Sequence, residues 1–336
     1  MTMEYRVLGR SGIKVSPICL GTMMFGGATE EAEAARIIAI ARDAGVNFID
    51  TADVYNAGES ERIVGRAIAG ARDHWVLATK AGNAMGEGPN ERGLSRRWLM
   101  RAIDGSLARL GLDHVDIFYL HREDAATPIE ESLRAVGDII AAGKARHFGI
   151  SNFRAWRHAE VVRLCDALGI ARPVASQPYY NAFNRQPEVE LLPACGHYGI
   201  GVAPYSPIAR GVLAGKYPPG GAPPADSRAG RKDKRILQSE YRPESLVLAQ
   251  EIKEHAESRG LTAAQFAFAW VIANRFVTAA IAGPRTAEQF GEYLGALEAD
   301  IGPDDEALID RMVAPGHPST PGYNDPAYPI EGRVLR

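Results

Sequence analysis

At 336 residues, with 46% hydrophobic and 24% charged side chains, the chain has the composition of an ordinary globular protein and the length to bury a large core. Its 38 basic and 41 acidic residues nearly cancel, which excludes the electrostatic footprint that nucleic acid or an anionic membrane surface demands. No apolar run reaches the roughly 18 residues that cross a bilayer, and MTMEYRVLGRSG lacks the apolar core of a signal peptide.

In chain order, the first segment reads as an N-terminal β-hairpin. Short apolar runs then alternate with amphipathic stretches. The strand candidates are SPICLG (16–21), VNFID (46–50), WVLATK (75–80), VDIFYL (115–120), ARHFGI (145–150), PVASQ (173–177), IGVAPY (200–205) and VTAAIAG (277–283). Each is short and bounded by polar residues, as strands buried on both faces are. Between them, TEEAEAARIIAIARDAG opens with acids and closes at Gly45. SRRWLMRAIDGSLARLG begins at an N-cap serine, Ser95, and ends at Gly111. TPIEESLRAVGDIIAAG has Pro128 in its first turn and Gly143 past its end.

Such alternation predicts a parallel sheet covered by helices. Eight strand–helix repeats fit an α/β fold of the closed (β/α)8 TIM-barrel type, in one domain spanning 1–336, with a core of about 4–300 and an irregular tail from 301 to 336. Long loops are expected at the carboxyl face, above all the Gly/Pro-rich stretch 211–230, too long for a simple connector. The irregular segment 314–333 carries aromatics and is expected to pack on the barrel. Cys19, Cys165 and Cys195 are odd in number and lack CxxC spacing, so they read as buried thiols of a cytoplasmic protein, with no metal site.

Catalytic residues of such barrels sit where strands end. VNFID ends at Asp50 and leads into Tyr55, WVLATK ends at Lys80, and VDIFYL stops at His121. Singly, each has a bland explanation: a turn cap, a half-buried ring, a solvated rim charge, a loop-capping imidazole. Together, four ionisable groups at three adjacent strand mouths make a proton-donating tyrosine. An ammonium beside a phenol favours the phenolate. Lys80 would supply that charge, Asp50 would hold Lys80, and His121 would hydrogen-bond the substrate carbonyl oxygen. The set suits polarisation of a carbonyl while hydride arrives from elsewhere. No Rossmann fingerprint or Walker A sequence is present, since GIGVAP (199–204) lacks a third glycine and a following helix.

These residues carry a resemblance to the aldo-keto reductase family, NADPH-dependent carbonyl reductases on a (β/α)8 barrel. Its Asp–Tyr–Lys–His tetrad matches Asp50, Tyr55, Lys80 and His121. FIDTADVY, LATKAG, YLHRED, GKARHFGISNF, SQPYYN, PYSPIARGVLAGKY and IAGPRTAEQ occur in family order and spacing over about residues 4 to 300. The resemblance implies NADPH, with NADH weaker, lying extended across the strand ends. Gly21, Thr22, Met23 and Asp50 would border the nicotinamide. Ser151, Asn152 and Gln177 would bind its carboxamide, and Tyr205 would stack on its ring. Ser206, Ile208, Arg210, Gly211 and Lys216 match pyrophosphate-loop positions, and Arg228 lies where the family often has a basic residue of the closing loop. Gly283, Arg285, Gln289 and Glu292 match adenosine-end positions, where a helix N-terminus would favour a 2′-phosphate.

The chain departs from the family pattern at Ala282, often proline, and at Tyr293, often asparagine. It also has Gly283 and Gln289 where several relatives place a lysine and an arginine, which leaves Arg285 to read the 2′-phosphate. Substrate contacts are expected from Phe25, Tyr55, Asn83, Met85 and His121, together with the loops 82–93 and 211–230. GHPSTPGYNDPAYPIEGR resembles tails of bacterial members that reduce small sugar aldehydes. The expected partner is a small carbonyl compound, with neither nucleic acid nor membrane. The voltage-gated potassium-channel β subunits are also similar, sharing the GKY…SRA loop, and imply a cofactor-binding partner protein with slow turnover. A phosphosugar barrel enzyme would have no use for SQPYYN or PYSP.

Overall fold

The computed structural model describes residues 3–330 and Gly332. Its contacts cluster into two compact units. The first comprises Met1–Pro178, Glu190–Tyr205 and Arg275–Leu294; the second comprises Tyr179–Val189, Ser206–Asn274 and Gly295–Arg336.

The first unit carries the eight-stranded parallel barrel. The hairpin pairs β1 (Arg6–Val7) with β2 (Lys14–Val15). Eight parallel strands follow: β3 (Ile18–Gly21), β4 (Phe48–Asp50), β5 (Val76–Ala81), β6 (Val115–Leu120), β7 (Ala145–Ser151), β8 (Ala175–Gln177), β9 (Gly201–Val202) and β10 (Ala280–Ala282). Their order is β10-β3-β4-β5-β6-β7-β8-β9. Parallel bridges Val202–Val277 and Tyr205–Ile281 join the two ends of that order and close the sheet. Six of the eight strands lie within the apolar runs of the sequence, while β5 and β7 run one residue past theirs, to Ala81 and Ser151.

The helices of this unit are α1 (Glu31–Asp43), α2 (Glu59–Ile68), α3 (Arg96–Leu110), α4 (Ile129–Ala141), α5 (Ala155–Leu168) and α6 (Leu191–Tyr198), with a later one at 287–294. The expected signals act locally. Ser95 accepts the Trp98 N–H at 3.3 Å, and Gly111 ends α3 in the left-handed conformation. Pro128 is the N-cap of α4 itself.

Strand register decides which side chains share the barrel interior. Gly21 pairs with Asp50 and Asp50 with Ala78; Lys80 pairs with Tyr119, Tyr119 with Gly149, and Ser151 with Gln177. Side chains alternate with period two, so Asp50, Lys80, His121, Ser151 and Gln177 share one parity and face the same side. The same parity carries the core set Cys19, Phe48, Ala78, Ile117, Tyr119 and Ala175. Gly149 has a steric reason: a Cβ there would lie 2.3 Å from the Tyr119 ring. Cys19, Cys165 and Cys195 are buried free thiols.

The second unit holds α7 (Lys234–Ser239), α8 (Pro243–Ser258), α9 (Ala263–Ala273) and α11 (Pro303–Met312); the helix at 287–294 in the first unit is α10. Thr262 and Gln265 form a reciprocal capping box on α9, which is buried along nearly its whole length. The tail is anchored within this unit. Arg235 pairs with Asp325, while Arg242 bonds Thr320 and Ser319 and lies 3.9 Å from the Tyr323 ring centroid. Glu331 and Arg333 of the tail motif lie outside the described residues. No helix among the described residues is long and apolar enough to cross a membrane.

Candidate active site

Four side chains expected from the strand ends meet at the mouth of the first unit. Lys80 is fully buried, and its ammonium donates to the Asp50 carboxylate, to the Thr51 carbonyl at 2.8 Å and to the Tyr55 hydroxyl at 3.1 Å. Burial by itself would pull Lys80 down, but Asp50 and Tyr55 outweigh it and the amine is pushed up to about 12. It is therefore a cation at neutral pH. Burial also pushes the Asp50 carboxyl up, against the pull of Lys80 and of Gln177, whose amide donates to Oδ1 at 2.9 Å.

The His121 ring stands edge-on to Tyr55, with centroids 5.9 Å apart. Burial, then Lys80 and Arg122, hold His121 well below its ordinary value, so the ring is neutral and has one N–H to donate. Its Nδ1 is buried and has no hydrogen-bond partner among the described residues.

Tyr55 owes its position to an unusual loop. Asn56, Ala57 and Gly58 all have left-handed φ, at 47°, 54° and 88°, a run that side-chain-bearing residues avoid. Asn56 holds it there by donating to the carbonyls of Met23 at 3.0 Å and Phe25 at 2.7 Å. Behind the loop, buried Glu61 accepts from Thr79 and pairs with Arg109 at 2.6 Å. Asp53 is wholly buried, and among the described residues neither of its oxygens has a well-formed hydrogen bond. Burial, then the nearby Glu61 carboxylate, pushes it up to about 7. Sequence reasoning missed Asn56, Asp53 and Glu61. Only Asn56 left a signal, as a residue type that tolerates the left-handed region.

Along the neighbouring strand ends, Ser151 donates to the Gln177 carbonyl at 2.9 Å, and Asn152 donates to the His121 carbonyl and to Ser151 Oγ, each at 3.0 Å. The Tyr205 hydroxyl donates to Asn152 Oδ1 at 2.8 Å. Thr22 donates to the Asp50 carbonyl at 3.0 Å. Met23 is exposed beside it, whereas Phe25 is fully buried, so the loop presents Met23 rather than Phe25 at its surface. Asn83 and Met85 are half-buried.

At the far end of the expected cofactor positions, Gly283 is exposed and the Arg285 N–H donates to Gln289 Oε1 at 2.8 Å. Glu292 is half-buried, on α10 beside buried Tyr293. In the second unit, Ser206 and Arg210 have left-handed φ and bracket half-buried Ile208; Gly211 follows them. Arg210 lies 3.4 Å from buried Glu240, which also accepts from Tyr179. Arg228 pairs with Asp233 at 2.8 Å, and Lys216 sits over the Tyr217 ring. Both arginines thus already face carboxylates.

A Lys–Asp pair, a tyrosine and a neutral histidine thus stand together at the strand ends of a closed TIM barrel. A family model described as the aldo/keto reductase family matches residues 17–314. The chain belongs to that family, whose members act on carbonyl groups. It is 38% identical over 302 residues to a probable voltage-gated potassium channel subunit beta of Oryza sativa subsp. japonica, covering 88% of this chain and 92% of the relative. A protein of the same description from Arabidopsis thaliana is 39% identical over the same shares. An uncharacterized oxidoreductase of Bacillus subtilis, YrpG, is 38% identical over 97% of this chain and 99% of its own.

Proposed function

We propose that the chain is a cytoplasmic NAD(P)H-dependent reductase that converts an aldehyde or ketone to an alcohol, with Tyr55 as general acid and NADPH the preferred cofactor. The observation that carries the reading is the Lys80 ammonium, buried and bonded to both Asp50 and the Tyr55 hydroxyl. The donor set suits a nicotinamide. Ser151, Asn152 and Gln177 are neutral hydroxyl and amide groups on adjacent strand ends, the chemistry that matches a carboxamide. When bound, the reduced nicotinamide supplies the hydride.

Tyr55 then gives its hydroxyl proton to the carbonyl oxygen, and the alcohol forms as C–H and O–H bonds replace the C=O π bond. Lys80 stabilises the phenolate left behind, and Asp50 keeps Lys80 in place. Neutral His121 donates its N–H to the carbonyl oxygen and orients it without competing as an acid. Adenosine contacts would fall to Gly283, Arg285, Gln289 and Glu292.

Tyr55→Phe tests the reading. Turnover of an unactivated aldehyde should fall by roughly 10²–10⁴ while NADPH still binds; wild-type turnover in the variant sinks the mechanism. His121→Ala should raise KM as well as lower kcat.

A second reading is favoured by the two plant relatives, named as channel β subunits: a cofactor-binding partner protein with slow turnover. Single-turnover oxidation of bound NADPH separates the two. A slow chemical step under saturating aldehyde supports the partner protein.

A further inference from the structure

We propose that Glu33 is a specificity-determining residue for the cofactor, its carboxylate occupying the anion-accepting end of α10 and opposing a 2′-phosphate there. The proposal rests on the reading that residues 283–292 hold the adenosine end.

A helix N-terminus attracts phosphate because its first N–H groups lack partners and carry partial positive charge. On α10 (Ala287–Leu294) those groups are already engaged. The Ala287 N–H donates to Glu33 Oε1 at 2.6 Å, a short charge-assisted bond from α1, which packs against α10. The Gln289 N–H donates to Thr286 Oγ1 at 3.3 Å, and Arg285 N–H is taken by Gln289. The Glu288 carboxylate bonds its own N–H and the Thr286 hydroxyl, which hold it below the ordinary carboxylate range. Two carboxylates therefore stand on this turn.

The cation that could offset them is spent in the same network. Arg36 bonds Glu33 at 2.9 Å and reaches Glu288 at 3.8 Å. Thr29, in the loop before α1, donates to the Arg285 carbonyl at 2.9 Å and fixes the backbone of the expected phosphate reader. Glu33 is the more buried of the two acids, with 24% of its side chain exposed against 76% for Glu288. A 2′-phosphate arriving here meets like charge on a helix end whose donors are taken. A ribose 2′-hydroxyl is neutral and carries no such penalty. Glu33 and Arg285 therefore act in opposition, and the ratio of NADPH to NADH affinity is compressed.

The experiment is fluorescence titration of wild type, Glu33→Gln and Glu31→Gln with NADPH and NADH, repeated with adenosine 2′,5′-bisphosphate and AMP as truncated probes. Glu33→Gln keeps an acceptor for the Ala287 N–H and removes only the charge. Glu31→Gln removes the same charge from an acid of the same helix whose partner is Arg66. Glu33→Gln should tighten NADPH and the bisphosphate about three- to tenfold, with NADH and AMP shifted by less than about twofold. The gain should shrink with added salt, because the site is partly exposed. Glu31→Gln should leave the ratio unchanged. An unchanged ratio in Glu33→Gln, with both nucleotides bound, overturns this inference and leaves α10 as the adenosine end. Failure of both nucleotides to bind wild type overturns that reading, and this inference with it.

Discussion

The strand-end tetrad and the N-terminus of α10 are both knots of charge in the first unit, and they differ in exposure. Lys80 and Asp50 are almost wholly buried, whereas Glu33, Arg36 and Glu288 are partly or largely exposed. In a dry site each charge depends on its partner, since an unpaired buried ion costs several kcal/mol. At a wet helix end the same charges are screened and act by small increments. The buried knot also leaves atoms unused, His121 Nδ1 among them, while the helix end satisfies its own donors. The first arrangement suits chemistry and the second suits tuning between similar ligands.

Lys80→Met is the hardest blow to that contrast. It strands the buried Asp50 carboxylate and removes the cation beside Tyr55, so stability should fall by about 3–5 kcal/mol. Reductase turnover should fall at least as far as in Tyr55→Phe. Chemical denaturation and steady-state assay read both. A loss below about 1 kcal/mol, the range of exposed pairs, would show that the tetrad is no drier than the helix end.

Arg285→Ala probes the exposed side. A guanidinium engaging a 2′-phosphate contributes roughly 1.5–3 kcal/mol, so wild type should prefer NADPH about tenfold to a hundredfold, with Glu33 holding the ratio toward the lower end. The variant should lose most of that preference and keep its NADH affinity. Loss of NADH binding would mean that Arg285 supports the fold of the turn rather than reading phosphate.

The smallest effect is a slope. Asp53 faces Glu61, Lys80 and Arg109, and burial pushes it up to about 7 from 3.8. The folded chain holds this proton where the unfolded chain releases it, so its contribution is fully present below pH 3.8 and is lost as pH rises through about 7. Stability should therefore decline from this group across that window, by at most about 1.4 kcal/mol per pH unit. Asp53→Asn should flatten the slope of denaturation midpoint against pH. An unchanged slope would mean that Asp53 stays ionised on folding.

Much of this site was legible in the sequence because its residues end strands. VDIFYL matches β6 residue for residue, and His121 follows it at once. Asp50, Lys80 and Gln177 could be located in the same way, from where an apolar run stops. Phe25 illustrates the limit. Its position in CLGTMMFGG suggests a pocket wall, yet it is buried at 0% exposure. The fold of its loop is set by Asn56, which lies 31 residues away.

The alternation of buried strands with capped helices determined the barrel, since hydrophobic periodicity and capping are local properties that neighbouring residues enforce. The kinds of group at the strand mouths followed from the same pattern. Tertiary structure alone decided how those groups are charged and what each one faces. The left-handed run at Asn56–Gly58 is stabilised by carbonyls from another loop. The protonation of Asp53 depends on its burial and then on a carboxylate from α2, and the end of α10 is capped by an acid 254 residues earlier in the chain. Electrostatics depends on distance and burial in space, and residue order constrains neither until the strands have paired and the barrel has closed.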